Sequence, residues 1–299
     1  LLHTMLAAVA RSRNVWRLEL CTKTGLQRVD ATTIVDCTGD ANAVTLAGYP
    51  TERSDELQPG TLAFRVGGYD VTALNLEAIQ AAFEKEVAAG TLRVSDPGWH
   101  HGDIRVFLRG YGGNCTHVCD IDGTTSESRT QAEIEARRVM LRLYRFCRRQ
   151  PGLELMTITH CPTECGIRET VRIKGKKTMT ANDYESGCVW NDSICYAHYP
   201  IDIHWPVDTV WRPTPREVAP TIPLGALMPQ GSAHLIVAGR CLASDREAHS
   251  ALRVMAPCMA MGQAAGAAAA LAAEQHCAID TVPHSALRAL LTRHGAIVP

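Results

Sequence analysis

The sequence lacks three features that each indicate a broad class of protein. Its formal net charge is −1, so there is no excess of positive charge to attract nucleic acid. No apolar run approaches the roughly 20 residues that span a bilayer, the Ala-rich stretch 260–273 included. The apolar segment 1–10 has no basic region of the kind that begins a secretory signal. We therefore expect neither a nucleic-acid nor a membrane partner.

Several motifs with known chemistry are absent as well. The sequence contains no HExxH helix, no Walker phosphate loop, no Ser-His-Asp order and no G-x-G-x-x-G turn. The nearest glycine cluster, Gly110-Tyr111-Gly112-Gly113, has the wrong spacing, and no helical pattern follows it. That cluster is more typical of a hairpin turn.

Cysteine is abundant, with 12 residues, but the spacing is not that of a compact secreted disulfide scaffold. Two C-x-x-x-C pairs, Cys115/Cys119 and Cys161/Cys165, offer four thiolates for zinc or an iron–sulfur cluster. Zinc knuckles use C-x-x-C, and Pro162 opposes a helix across the second pair. We therefore expect reduced thiols, no metal site and a cytoplasmic location.

The most informative stretch is 236–270. An apolar strand ends at Gly239-Arg240, a short polar loop follows, and then comes a helix rich in Ala and Gly that runs to about Ala273. Its N-terminus would present free N–H groups and the positive end of the helix dipole, which suit an anionic or electron-rich ligand edge. A buried helix packed on a parallel sheet has the same composition, so the residues alone leave both interpretations open.

This stretch resembles the C-terminal flavin-contacting signature of the FAD-dependent oxidoreductase family, which belongs to the glutathione-reductase-like and succinate-dehydrogenase-like flavoproteins. Three further segments resemble the family in its order: 34–41 (IVDCTGDA), 166–173 (GIRETVRI) and 199–204 (YPIDIH). The resemblance implies FAD as the cofactor and hydride transfer to or from a small organic substrate, such as a carboxylate or carbonyl compound. The cofactor-binding residues that it implies are Thr38, Gly39, Asp40, Gly239, Arg240, Arg253, Val254 and Met255.

The resemblance also implies a mixed α/β fold: an FAD/NAD(P)-binding-type domain lacking its first βαβ unit, with an inserted α+β substrate domain. Residues 1–50 and 212–299 would form the flavin domain, and 51–211 the insertion. The family's G-x-G-x-x-G turn binds the ADP half of FAD, so its absence leads us to expect that the N-terminal part of the fold is missing. The alternative is a catalytically silent fragment or subunit that needs a partner chain to complete the FAD site. The sequence also leaves open whether the chain forms a homo-oligomer.

Local patterns predict several elements of secondary structure. Residues 15–20 alternate as a half-buried strand does, and 31–35 predicts a second strand. The pair resembles the β-meander of this class of flavoproteins. An amphipathic helix is expected over 75–89, and the strongest helical pattern covers 130–149. Short strands between turns are expected in 94–113.

Arg168, within Gly-Ile-Arg-Glu-Thr, is the first candidate for catalysis. A planar guanidinium can bind a carboxylate through two hydrogen bonds or stabilise a developing enolate. An arginine that holds the insertion together by ion pairs is the alternative. Arg172, four residues on, is expected to be structural.

Two histidines are candidates for proton transfer. His204 follows Asp202 by two residues, so both would share one face of a strand, and an Asp that orients a His is a usual proton shuttle. His249 lies just before the Ala-rich helix, in the loop that the resemblance places beside the flavin ring. For His204 a hydrogen-bonded structural histidine is the alternative. His117 and the pair 100–101 are expected to be loop residues without a chemical role.

Overall fold

The computed structural model describes residues 1–13, 15–114, 116–119 and 121–299, and the chain divides into two compact units. The first unit comprises Leu1–Ser54, Val171–Asp202 and Arg212–Pro299, and the second comprises Asp55–Thr170 and Ile203–Trp211. The predicted insertion over 51–211 thus differs from the second unit chiefly in residues 171–202, which lie in the first unit.

The elements alternate between helix and strand along much of the chain, which makes the fold mixed α/β. The strands are β1 (Met5–Ser12), β2 (Val15–Thr22), β3 (Gly25–Ala31), β4 (Ile34–Asp36), β5 (Thr51–Glu52), β6 (Arg65–Gly67), β7 (Thr157–His160), β8 (Arg172–Ile173), β9 (Ser193–Tyr196), β10 (Ile201–His204), β11 (Thr209–Arg212), β12 (Thr221–Pro223) and β13 (Leu235–Val237). The helices are α1 (Asn42–Leu46), α2 (Leu76–Ala88), α3 (Ile104–Arg109), α4 (Ser126–Cys147), α5 (Ala181–Glu185), α6 (Arg246–Leu252), α7 (Met255–Glu274) and α8 (His284–Arg293), with 3-10 turns at Val71–Ala73, Leu224–Leu227 and Ile279–Thr281.

The first unit begins with the predicted β-meander. β1 pairs with β2 and β2 with β3, all antiparallel, and the Trp16 side chain on β2 is buried at 2% exposure. The bounds predicted for the second strand were wrong: β3 starts at Gly25 and ends at Ala31, and Thr32-Thr33 separate it from β4. Because β-branched residues fill 32–35, strand propensity alone does not show the break.

A parallel pair of strands lies at the centre of the first unit. β4 pairs with β13 in register from Ile34↔Leu235 to Asp36↔Val237, and β13 is fully buried. Parallel pairing brings the carboxyl ends of both strands to the same edge, where the loops of an open α/β sheet bind ligands. The predicted cofactor residues 38–40 and 239–240 directly follow these two strand ends.

Helix α7 packs on this parallel pair. It is 20 residues long, it contacts β4, β9, β13 and α8, and its buried side includes Met261 and four alanines. Small side chains allow a helix to lie close to a sheet. By length and a mean hydropathy of 1.2, α7 would also suffice to cross a membrane, but in this structure it is a core helix of the first unit.

The second unit is built around a cluster of aromatic and aliphatic side chains. The ring centroids of Phe64 and Phe107 are 5.5 Å apart, and those of Phe83 and Phe146 are 5.8 Å apart. These rings bring together β6, α2, α3 and the 22-residue helix α4. Burial of phenylalanine contributes much of the stability of such a core.

Both helices predicted in the second unit are confirmed, and the short strands expected in 94–113 were wrong. Helix α3 occupies 104–109, because the Asp103 side chain accepts a hydrogen bond from the Arg105 N–H and caps its first turn. Gly110 then ends α3, so the glycine cluster is the exit of a helix and not a hairpin between two strands. Gly112 forms an isolated antiparallel bridge with Arg65.

Candidate functional site

The carboxylate of Asp36 organises the loop at the end of β4. One oxygen accepts from the N–H and hydroxyl of Thr38, at 3.0 and 2.7 Å, and the other accepts from the N–H groups of Ala43 and Val44, at 2.8 and 3.3 Å. Asp36 is 2% exposed. It therefore ties the strand end both to the Thr38 turn and to the N-terminus of α1, where a negative charge is favoured.

The two loops that follow β4 and β13 are joined by an ion pair. The Arg240 guanidinium pairs with the Asp40 carboxylate, and Gly39 lies directly against it. A Cβ built on Gly39 would be 2.5 Å from Arg240 Nη1, and its φ of +77° is in the region that favours glycine. The structure thus brings predicted residues of both loops to one edge of the parallel pair.

The first turn of α7 lies beside these loops. The Arg240 and Arg253 charges both lower the pKa of Cys258, while burial raises it more strongly, so the two guanidiniums lie near that turn. Val254 precedes α7 without a side-chain cap, and the Met255 side chain is 82% exposed. The predicted residues 253–255 therefore contribute the N-terminus of α7 and one cation, Arg253.

Two features at this edge fit a bound group. Arg240 Nε is a buried donor that has no hydrogen-bond partner among the residues that the structure describes. Gly239 has a φ of +99°, and no atom lies within 4 Å of a Cβ built on it. An unpaired buried N–H costs about 1–3 kcal/mol, so a ligand acceptor would stabilise it.

His249, on α6, is buried at 1% exposure and lies 2.7 Å from the Arg240 carbonyl oxygen through Nε2. Because a carbonyl only accepts, Nε2 carries the proton and donates. This hydrogen bond fixes the backbone of the 239–240 loop.

In the second unit, three chain segments pair side by side without forming regular strands. Gly60 and Val118 exchange two backbone hydrogen bonds of 2.9 Å, and Thr61 and Gly166 exchange bonds of 2.9 and 2.8 Å. A Cβ on Gly60 would be 2.8 Å from the Ile121 side chain and 3.1 Å from the Cys165 sulfur, so the close approach favours glycine.

Arg168 follows the third of these segments and is 8% exposed. Its Nη1 donates to the Pro59 carbonyl at 2.6 Å and to the Thr61 hydroxyl at 2.7 Å, and its Nη2 donates to the Asn114 side-chain oxygen at 3.0 Å. These three oxygens orient the guanidinium. Arg172, by contrast, lies in the first unit, 3.8 Å from Glu52 and 3.1 Å from the Ser54 hydroxyl.

His204 is the last residue of β10 and is 4% exposed. Its backbone N–H donates to the Gln58 side-chain oxygen at 3.1 Å, and the Gln58 side-chain N–H donates to a Glu169 oxygen at 3.4 Å. Asp202 lies on the same strand, as predicted, and its N–H donates to the Ser250 hydroxyl. The chain from Glu169 through Gln58 fixes the backbone at His204.

His117 was expected to be a loop residue without a chemical role, yet its ring lies beside that of His204. It is 1% exposed, and its ring centroid lies 5.4 Å from that of His204 at an interplanar angle of 85°. Burial lowers the pKa of His117 most strongly, and the charges of Arg168 and His204 lower it further. No signal in the sequence indicates this position, because the pairing of the neighbouring Val118 with Gly60 is visible only in the structure.

Among the residues that the structure describes, the cysteines are not grouped with other ligand side chains. Ten of them, at 21, 37, 147, 161, 165, 188, 195, 241, 258 and 277, are free thiols, while Cys115 lies outside the described residues. Across the described part of the chain, no three His, Cys, Asp or Glu side chains are grouped so that they could hold a metal ion.

Comparison with known proteins identifies the family. No curated protein matches the chain. The sequence profile of the family described as FAD dependent oxidoreductase matches residues 1–291, which covers both units and every predicted site residue. Together with the paired loops at the carboxyl ends of β4 and β13, this match shows that the chain belongs to the FAD-dependent oxidoreductase family, with FAD as its cofactor.

Proposed function

We propose that the chain transfers a hydride between FAD and a small organic carboxylate or carbonyl compound that binds at Arg168. The observation that carries this proposal is the Arg168 cation, 8% exposed and oriented by three neutral oxygens. A planar guanidinium held in one orientation can bind a carboxylate or a polarised carbonyl oxygen of a ligand. Such a cation also stabilises negative charge that develops on a carbonyl oxygen during the reaction.

The residues of the first unit fit FAD. The orphaned Arg240 Nε, the open space at Gly239 and the uncapped start of α7 all lie at the carboxyl edge of β4 and β13. We propose that residues 38–40 and 253–255 complete this binding edge. When bound, FAD carries the two electrons of the reaction, and the protein binds, orients and excludes water.

We propose His204 as the residue that moves a proton to or from the substrate, because the hydrogen bond that its backbone N–H donates to Gln58 fixes its backbone next to His117. His249 is the second proposed proton-transfer residue. Since its Nε2–H is bonded to the Arg240 carbonyl, it would act through Nδ1. We also propose a cytoplasmic location, which the many free thiols support.

A second proposal is that the chain needs a partner polypeptide to complete its FAD site. The exposed face of α7 favours it, since Met255 is 82% and Met259 75% exposed one turn apart. Titration of the chain with FAD tests this proposal. Weak binding that becomes submicromolar when a partner polypeptide is added supports it, and submicromolar binding by the chain alone contradicts it.

The substrate proposal is tested by Arg168→Lys, with Arg172→Lys as the matched control. Lysine keeps the charge but loses the planar fork, so we expect kcat/KM to fall roughly a hundredfold or more while FAD affinity is unchanged. The measurement is flavin reduction by a panel of small carboxylates and carbonyl compounds. Near-parental turnover in Arg168→Lys, with only a lowered Tm, would show that Arg168 is structural.

A further inference from the structure

Strand β3 is a regular, open edge of the β-meander. It pairs with β2 without interruption from Gly25 to Ala31, and among the residues that the structure describes no other strand pairs with it. Six of its seven residues are exposed. The opposite edge, β1, has a bulge between Leu6 and Ala8 and contacts α1, so it is less suited to further pairing. Every second N–H and C=O of β3 points away from β2, where another strand could accept and donate hydrogen bonds.

One face of β3 carries two opposite charges, two residues apart. Arg28 lies opposite Glu19 of β2, and Asp30 lies opposite Arg17. The corresponding ion pairs span 3.9 and 3.6 Å, and all four side chains are at least 43% exposed. Exposed pairs of this length contribute little to the stability of the fold, so Arg28 and Asp30 can also pair with charges on a further strand.

A second copy of β3, antiparallel to the first, matches these charges in one register. When the twofold axis passes through Val29, Arg28 lies opposite Asp30 of the second copy, and Asp30 lies opposite Arg28 of the second copy. The row that begins with Glu19 and Arg28 then continues into Asp30 and Arg17 of the second copy, so charges alternate across four strands. An axis through Arg28 or through Asp30 would instead place like charges opposite each other.

The other face of β3 also matches itself in this register. Val29 is 40% exposed and lies opposite Leu18 of β2, so the two copies would form an apolar row of four side chains. We propose that the chain forms a twofold-symmetric homodimer by antiparallel pairing of β3 with β3 of a second copy, centred on Val29. The two meanders then form one six-stranded sheet. This inference does not depend on the proposed function.

Two charge variants test the register by sedimentation equilibrium. The parent should form a dimer with a Kd on the order of 10–100 µM, because a single strand edge buries less area than a permanent interface. Arg28→Asp opposes carboxylates and Asp30→Arg opposes guanidiniums, so each variant alone should dimerise at least roughly tenfold more weakly. An equimolar mixture should recover the dimer, because one copy then carries two carboxylates and the other two guanidiniums. Lys23→Asp, the same charge change in the turn between β2 and β3, is the control and should dimerise as the parent does.

Disulfide cross-linking gives a second readout. Val29→Cys puts two thiols opposite each other on the twofold axis, with Cα atoms about 4.5–5.5 Å apart, a separation that a disulfide spans. Oxidation should therefore give a 29–29 linked peptide by mass spectrometry, whereas Leu26→Cys, exposed on the same strand, should give no 26–26 link across about 20 Å. A parent that stays monomeric up to about 500 µM, well above that Kd, would overturn the inference. So would a mixture of the charge variants that dimerises no better than either alone, or a dimer without the 29–29 link.

Discussion

The Arg240 guanidinium lies against Gly39 and leaves no room for a side chain there. The Nη1 atom would be 2.5 Å from a Cβ on Gly39, and the carbon of the guanidinium would be 2.8 Å from it. The adjacent Asp40 pairs with the same guanidinium. One arginine thus joins the loops after β4 and β13, and it does so only because residue 39 is glycine.

Gly39→Ala should therefore weaken FAD binding, and Gly48→Ala should not. Both glycines have similar φ values, +77° and +79°, so each alanine costs about 1–2 kcal/mol of backbone strain. Only at Gly39 would the Cβ displace Arg240, because nothing lies within 4 Å of a Cβ on Gly48. FAD titration should show roughly tenfold weaker binding for Gly39→Ala alone. Equal FAD affinities in the two variants would contradict a role for this contact.

Asp36→Asn should destabilise the first unit. The Asp36 carboxylate accepts four hydrogen bonds, two on each oxygen. In asparagine one of these oxygens becomes an NH2 group, which cannot accept and would face hydrogen-bond donors. We expect the free energy of unfolding, measured in urea, to fall by about 1–3 kcal/mol. Asp30→Asn is the control, since its pair with Arg17 spans 3.6 Å and both side chains are about half exposed. A loss no larger than that of the control would refute the anchoring role.

Elements with a strong local signal were predictable from the sequence. The amphipathic pattern of α2 and its cap at Asn75 agree with the structure, whose helix begins at Leu76. α4 begins at Ser126, four residues before the predicted start, because the Thr125 hydroxyl accepts from the Ser128 N–H. α3 was missed because its six residues are too few to show helical periodicity.

The candidate site was predictable only where a motif marks it. The loops at 38–40 and 239–240 follow apolar strands, and the structure joins them. The cluster around Arg168 depends on pairing between segments that are far apart in sequence, such as Gly60 with Val118 and Thr61 with Gly166. No local pattern encodes that pairing, so His117 could not be distinguished from an ordinary loop histidine.

Buried thiols should be unreactive in the folded protein. Burial, with a smaller contribution from the Asp36 charge, raises the pKa of Cys241 to about 12 from an ordinary value of 9, which lowers its thiolate fraction about a thousandfold. Native protein treated with iodoacetamide at pH 8.5 should therefore be modified at the exposed Cys161 and protected at Cys241. Peptide mapping by mass spectrometry measures both sites. Comparable labelling of Cys241 before and after unfolding in urea would contradict its burial.

The buried cysteines should also lower the stability of the fold at alkaline pH. Burial raises the pKa of Cys147 and of Cys195, like that of Cys241, to about 12. Above pH 9 the unfolded chain releases these protons and the folded chain keeps them, so the free energy of unfolding should fall as the pH rises from 9 toward 12. Cys195→Ala should reduce that slope relative to the exposed control Cys161→Ala. Parallel stability curves for the two variants would contradict the assignment.

His117 should make the fold sensitive to acid. Its pKa is lowered to about 3 in the folded state, chiefly by burial, and is about 6.5 in an unfolded chain. Between these values the unfolded state binds one more proton, so stability is fully present above pH 6.5 and declines as the pH falls. The contribution of this one group approaches 1.4 kcal/mol per pH unit. Urea unfolding of the parent and of His117→Asn from pH 7 to pH 4 measures it, and the difference between the two stabilities should shrink as the pH falls. A difference that does not change with pH would show that the folded state does not lower the pKa of His117.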